Sequence, residues 1–129
     1  MSTVLTLSFG QSDLGTHLAE LSAEQIDGLA FGVIGFDGDT VVRAYNATES
    51  RLAGLSPSRV IGQALFTAVA PCMNNYMVAQ RFQDAAADGS GLDATIDYVL
   101  TLRMRPVKVK LRLIAKPGAK LRYVVVDRA

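Results

Sequence analysis

Thr95-Ile96-Asp97-Tyr98-Val99-Leu100-Thr101-Leu102-Arg103-Met104, a turn at Arg105-Pro106, then Val107-Lys108-Val109-Lys110-Leu111-Arg112-Leu113: apolar and polar residues alternate through both halves of this stretch. A strand points successive side chains to opposite faces, so this period of two predicts two long strands in a hairpin. Ile96, Tyr98, Leu100, Leu102 and Met104 share the inward face of the first strand, where core packing is the ordinary role. In the second, Val107, Val109, Leu111 and Leu113 oppose Lys108, Lys110 and Arg112, which the pattern assigns to a solvated face with a weaker claim to partner docking. Pro117-Gly118 makes the next turn, and Leu121 to Val126 forms a last strand, apolar at most positions and therefore central.

Upstream, Leu29 to Phe36 and Thr40 to Ala44 are β-prone runs separated by Asp37-Gly38-Asp39, a second hairpin. Short helices fill the space between the two strand groups. Asn46 caps a helix over 46–53 that carries Glu49 at its third position, and Gly54 closes it. Pro57 opens another turn that Gly62 ends, and a helix from Leu65 to Val69 must stop near Ala70, because Pro71 disfavours α conformation in the residue before it. The longest helix runs from Tyr76 to Asp88 and stops at Gly89. Residues 1–28 read as a helical cap, with apolar spacing in Asp13 to Leu21 after Ser12 and a Ser22/Gln25 capping box. The expected fold is α+β: a PAS-like five-stranded antiparallel sheet with short helices between strands 2 and 3, in one domain made of cap 1–28 and core 29–129.

Composition agrees. The 129 residues are 50% hydrophobic and 19% charged, as in a globular chain, and leave room for one core. The net charge of +1 is unevenly spread, since nine of the 13 Lys and Arg residues lie from Arg103 onward. That asymmetry favours an acidic partner but lacks the aromatic interleaving of a nucleic-acid surface. No apolar run approaches the about 20 residues of a membrane span, and the N-terminus lacks the pattern of a secretory signal. One cysteine and one histidine exclude an internal disulfide, a Cys/His zinc site and a serine–histidine–acid triad within the chain.

Cys72, Tyr45 and Glu49 carry the chemistry. Cys72 is the sole thiol and follows a forced helix exit; by position alone it is a small buried hydrophobe, whereas a thioester there would set an acyl group beside backbone N–H donors. Tyr45 and Glu49, four residues apart at a strand-to-helix junction, are close enough to converge on one ligand or on each other. Tyr45 can donate to an anionic oxygen, and Glu49 can do so if burial without a cation keeps it protonated. The plain alternative is an interior tyrosine beside a solvated glutamate.

Phe9-Gly10, Asp27-Gly28-Leu29-Ala30-Phe31-Gly32, Asp37-Gly38, Tyr45-Asn46-Ala47 with Glu49, Pro57, Val60-Ile61-Gly62, Val69-Ala70-Pro71-Cys72 and Lys108-Val109-Lys110 follow one another in an order that resembles the photoactive yellow protein family along nearly the whole chain. The resemblance implies a blue-light receptor, not an enzyme, with p-coumaric acid (4-hydroxycinnamic acid) as a covalent thioester on Cys72. It implies that Tyr45 and Glu49 hydrogen-bond the phenolate. Light then isomerises the double bond from trans to cis, the Glu49 proton is transferred, and the N-terminal cap is released. The residues expected to line the pocket are Ile34, Ala53, Leu55, Leu65, Phe66, Val69, Ala70, Leu100, Met104 and Val124. Ala53 stands where the family has a threonine that orients the tyrosine, and Leu55 where it has a gating arginine. Leu100 and Leu102 replace aromatic residues, while Met104 matches a methionine associated with return to the dark state.

The expected partners are the small-molecule chromophore and a downstream signalling protein, with no nucleic acid and no membrane insertion, in a cytoplasmic monomer or weak dimer. Two other readings are open: a chromophore-free PAS module that senses another ligand or mediates contacts, and an α+β isomerase using Tyr45 and Glu49 as an oxyanion hole.

Overall fold

The computed structural model describes residues 7–101 and 106–128. Its elements are α1 (Leu14–Glu20), α2 (Ala23–Asp27), β1 (Gly32–Phe36), β2 (Val42–Tyr45), α3 (Ala47–Ala53), α4 (Pro57–Val60), a π-helical turn Leu65–Val69, a 3-10 turn Pro71–Met73, α5 (Ala79–Asp88), β3 (Leu92–Leu100), β4 (Val107–Ala115) and β5 (Arg122–Asp127). The strands form one antiparallel sheet in the order β2-β1-β5-β4-β3, so the apolar last strand is central, as its composition requires. The helices α3 to α5 and both irregular turns fall between β2 and β3, as the sequence predicts.

Local signals set most of these boundaries. The Ser22 hydroxyl accepts from the Gln25 N–H while the Gln25 side chain accepts from the Ser22 N–H, completing the capping box of α2. Gly54 closes α3 in the left-handed region at φ 75°, a conformation glycine enters without a Cβ penalty. Ala70 leaves the helical region at φ −136° and ψ 69° before Pro71. One boundary differs: α5 begins at Ala79 rather than Tyr76, because the Asn75 Oδ1 accepts from the N–H groups of Met77 and Val78 and holds those residues in a turn.

Both faces of the sheet are covered. On the inner face Ile34, Phe36, Tyr45, Leu100, Val109, Leu111, Leu113, Val124 and Val126 pack against Leu65, Phe66, Met73, Val78 and Phe82 from the helices and turns, and the Phe36 ring meets those of Phe66 and Phe82 edge-on at 5.5 and 4.9 Å. On the outer face Leu7, Leu14, Leu18, Ile26, Leu29 and Phe31 cover Val33, Ile114, Tyr123 and Val125.

This outer layer corrects one reading. Arg112, assigned by alternation to a solvated face, is buried. Its Nε and Nη2 donate to the Asp93 carboxylate at 2.7 and 2.8 Å, and Nη1 donates to the carbonyls of Phe9 and Gln11 at 2.8 and 2.6 Å. Lys116 donates to Thr16 nearby. The face is polar in sequence because it fastens the cap, and the start of β4 stays wet, with Lys108 and Lys110 exposed. Leu102, Arg103, Met104 and Arg105, with the pocket, turn and packing expectations placed on them, lie outside the described residues.

Candidate functional site

Tyr45 ends β2 opposite Ile34 of β1, which in turn faces Val124 of β5, so the three share the inner face across adjacent strands. The Tyr45 ring is buried in the same apolar cluster as Leu65, Phe66, Ala70 and Leu100, and Leu55, Val69 and Cys72 pack against that cluster half-buried. The structure thus brings together most of the expected pocket lining. Ala53 is buried at the end of α3 but stands outside this cluster. The Tyr45 hydroxyl has no hydrogen-bond partner among the described residues. Burial first, and the charge of Glu49 second, push it well above the ordinary phenol range, against the opposing pull of Arg128, so it is a neutral donor.

Glu49 sits in the first turn of α3, 2% exposed. Asn46 positions it: the Asn46 Oδ1 accepts from the N–H groups of Glu49 and Val33 at 3.0 and 2.9 Å, while its Nδ2 donates to the carbonyls of Ile26 and Phe31, each at 3.0 Å. The sequence identifies Asn46 as a cap; its second task, tying α3 to β1 and to the end of the N-terminal segment, depends on packing. Thr48 donates to the Leu29 carbonyl at 2.5 Å, and the Asp27 carboxylate accepts from the Ala47 N–H at 2.8 Å. The expectation that Glu49 lacks a cation is not met: Arg128, directly after β5, donates to both carboxylate oxygens at 2.6 and 2.9 Å.

Cys72 lies in the 3-10 turn with a free thiol. Its carbonyl accepts from the Tyr98 hydroxyl at 2.5 Å and from the Asn75 Nδ2 at 3.1 Å, and that Nδ2 also donates to the Tyr98 hydroxyl at 2.5 Å. Tyr98, read from alternation as core, therefore fastens the cysteine turn to β3, and Asn75 gave no sequence signal for it. Among the described residues no group of His, Cys, Asp or Glu side chains could hold a metal ion, and no helix is long and apolar enough to cross a membrane.

Comparison with known proteins decides the family. A PAS fold family model matches residues 20–126. The photoactive yellow protein of Rhodothalassium salexigens is 40% identical over 107 residues, covering 83% of this chain and 85% of that protein. The chain belongs to the photoactive yellow protein family. The photoactive yellow protein of Halochromatium salexigens is 37% identical over 105 residues, covering 81% of this chain and 83% of that protein. The crystal structure of the photoactive yellow protein domain from the sensor histidine kinase Ppr of Rhodospirillum centenum superposes with a TM-score of 0.78 at 38% identity, covering 86% of this chain and 96% of that domain. Photoactive yellow proteins are non-catalytic photoreceptors and signalling modules, so the isomerase reading is set aside.

The residues present fit the family's chromophore chemistry. A phenolate needs donors in a water-poor site, and Tyr45, a buried residue with a neutral hydroxyl that has no partner among the described residues, can supply one. A thioester needs a thiol that a reagent can reach, and Cys72 is half-buried at the margin of the cluster holding the Tyr45 ring.

Proposed function

We propose that this protein is a cytoplasmic blue-light receptor that carries p-coumaric acid as a thioester on Cys72, with the phenolic oxygen held by Tyr45 and Glu49. The observation that carries the reading is the meeting of the free Cys72 thiol and the neutral Tyr45 hydroxyl around one apolar cluster, in a chain of this family. Loading requires that Cys72 lose its proton and displace the thiol of an activated acyl thioester; one S–C bond forms, one breaks, and the carrier thiol leaves with the proton.

When bound, the group supplies visible absorption and a double bond that isomerises in light. The chain supplies the rest. The Tyr45 hydroxyl donates to the phenolic oxygen, and Leu65, Phe66, Ala70 and Leu100 keep water from weakening that bond. Glu49 carries a proton in the dark and gives it up after illumination. The product, a buried carboxylate at the start of α3, is costly unless it is paired or hydrated. Asn46 links the backbone of Glu49 to the carbonyls of Ile26 and Phe31, so rearrangement at Glu49 is felt where the N-terminal segment joins the sheet. Release of residues 1–28 then requires the bonds from Arg112 to Phe9 and Gln11 to break.

The test is intact mass after the unloaded protein meets an activated p-coumaroyl thioester. The mass rises by one p-coumaroyl group, and Cys72→Ala abolishes the rise. Stable attachment to the alanine variant would sink the assignment.

A further inference from the structure

Arg128, largely shielded beside Glu49, has no task in the function proposed above. Its guanidinium forks onto both oxygens of a carboxylate that is 2% exposed, and its own side chain is 14% exposed. A surface pair of such residues would be an incidental contact; a shielded, bidentate one is held by its surroundings.

The backbone prepares the contact. Val126 of β5 is paired with Gly32 of β1, which brings the end of β5 alongside the start of β1. Gly32 then leaves the space that the Glu49 side chain occupies: a Cβ built there would stand 2.0 Å from the Glu49 Oε1. Any other residue at position 32 would push the carboxylate away from the guanidinium. The Tyr45 hydroxyl lies within the field of both charges: burial and the Glu49 carboxylate push it up, Arg128 opposes them, and it stays neutral.

We propose that Arg128 is the counterion of Glu49, taking the carboxylate whenever Glu49 is ionised, so that Glu49 has two alternative partners, Arg128 and the phenolic oxygen, selected by its own proton. The second half rests on the function proposed above; the first does not. Chemistry separates the partners. A guanidinium offers donors and no acceptor, so it binds the ionised acid as a fork, whereas a phenolate accepts and therefore binds the protonated acid. The proton lost by Glu49 in light thus creates the ion that Arg128 is positioned to receive. That pairing holds the lit state without requiring the carboxylate to reach water at once, and return to the dark state requires the pair to be broken.

The chain has three glutamates, Glu20, Glu24 and Glu49, and the first two are exposed. Carbon-13 NMR of the unloaded protein labelled at the glutamate side-chain carboxyl therefore gives three signals, assigned through Glu20→Gln and Glu24→Gln without touching the site. At neutral pH the Glu49 signal is expected at the carboxylate position. Arg128→Gln is expected to move it toward the protonated position, and Arg128→Lys to restore it in part. In the loaded protein, Arg128→Gln is expected to speed dark recovery about tenfold or more, since a charge-assisted pair no longer holds the lit state. A protonated Glu49 in the unloaded parent would overturn the proposal, as would a Glu49 signal unmoved in Arg128→Gln. If that variant does not fold, the parent spectrum still decides. If no chromophore attaches, the function proposed above fails while the unloaded spectra decide the counterion role.

Discussion

Replacing Arg112 with methionine keeps an apolar stem in place and removes four hydrogen bonds at once. The two to Asp93 contribute little to holding the cap, because the Asp93 side chain is 46% exposed and lies on β3, within the sheet. The two to the carbonyls of Phe9 and Gln11 are charge-assisted and bridge about a hundred residues of sequence. At about 1.5 kcal/mol each, the lower end for bonds to a charged group, they contribute roughly 3 kcal/mol to docking of the segment ahead of α1. That corresponds to about a hundredfold rise in the open population of the cap. Hydrogen exchange read by mass spectrometry on peptides spanning α1 and β5 checks this. The amides of α1 and that of its C-cap residue Leu21, bonded to the His17 carbonyl, should exchange about a hundredfold faster, while β5 should be unchanged. Arg112→Lys, with a charge but no fork, should fall between. Exchange in α1 within about threefold of the parent, in a variant that still melts cooperatively, would refute the claim that these bonds latch the cap.

Asn46→Ala leaves the N–H groups of Val33 and Glu49 and the carbonyls of Ile26 and Phe31 without their partner, and should cost about 2–4 kcal/mol in urea unfolding, whereas an exposed asparagine would cost a few tenths. Burial raises the hydroxyls of Tyr45 and Tyr123 above the ordinary phenol range, so the folded state keeps protons that the unfolded chain releases. Stability should therefore be undiminished by these groups below about pH 10 and fall as pH rises beyond it. Ultraviolet titration should show both tyrosines ionising only with unfolding, and Tyr45→Phe should flatten the alkaline loss. Leu55 packs half-buried against the cluster holding Tyr45, so Leu55→Ala should admit water, quicken exchange of the pocket backbone and change dark recovery in the loaded protein; no change in either would exclude a sealing role.

What the sequence disclosed follows the range of its signals. The alternation from Ile96 to Leu113 and the turn chemistry at Asp37-Gly38, Gly54 and Ala70-Pro71 are set within a few residues, and the sheet and helix order follow from them. Arg112 was misread because alternation reports which face of a strand is polar, and only tertiary structure tells that α1 and its preceding loop cover that face. Arg128 drew no reading from the sequence, since nothing local marks a partner 79 positions upstream. Tyr98 fitted the apolar period so well that its hydroxyl went unread, although a tyrosine on an inward face needs a partner for its oxygen. Glu49 was legible as a donor only on the condition of burial, and neither its burial nor its pairing is set locally, because the first comes from α3 packing on β1 and the second from the far end of β5.

The central claim is that light acts on a chromophore bonded to Cys72, and one absorption trace tests it. Protein exposed to activated p-coumaric acid and freed of excess reagent should show a visible band that bleaches under blue light and returns in the dark, and Cys72→Ala prepared alongside should show none. A parent without a visible band, a band indifferent to illumination, or an equal band in Cys72→Ala would contradict the account.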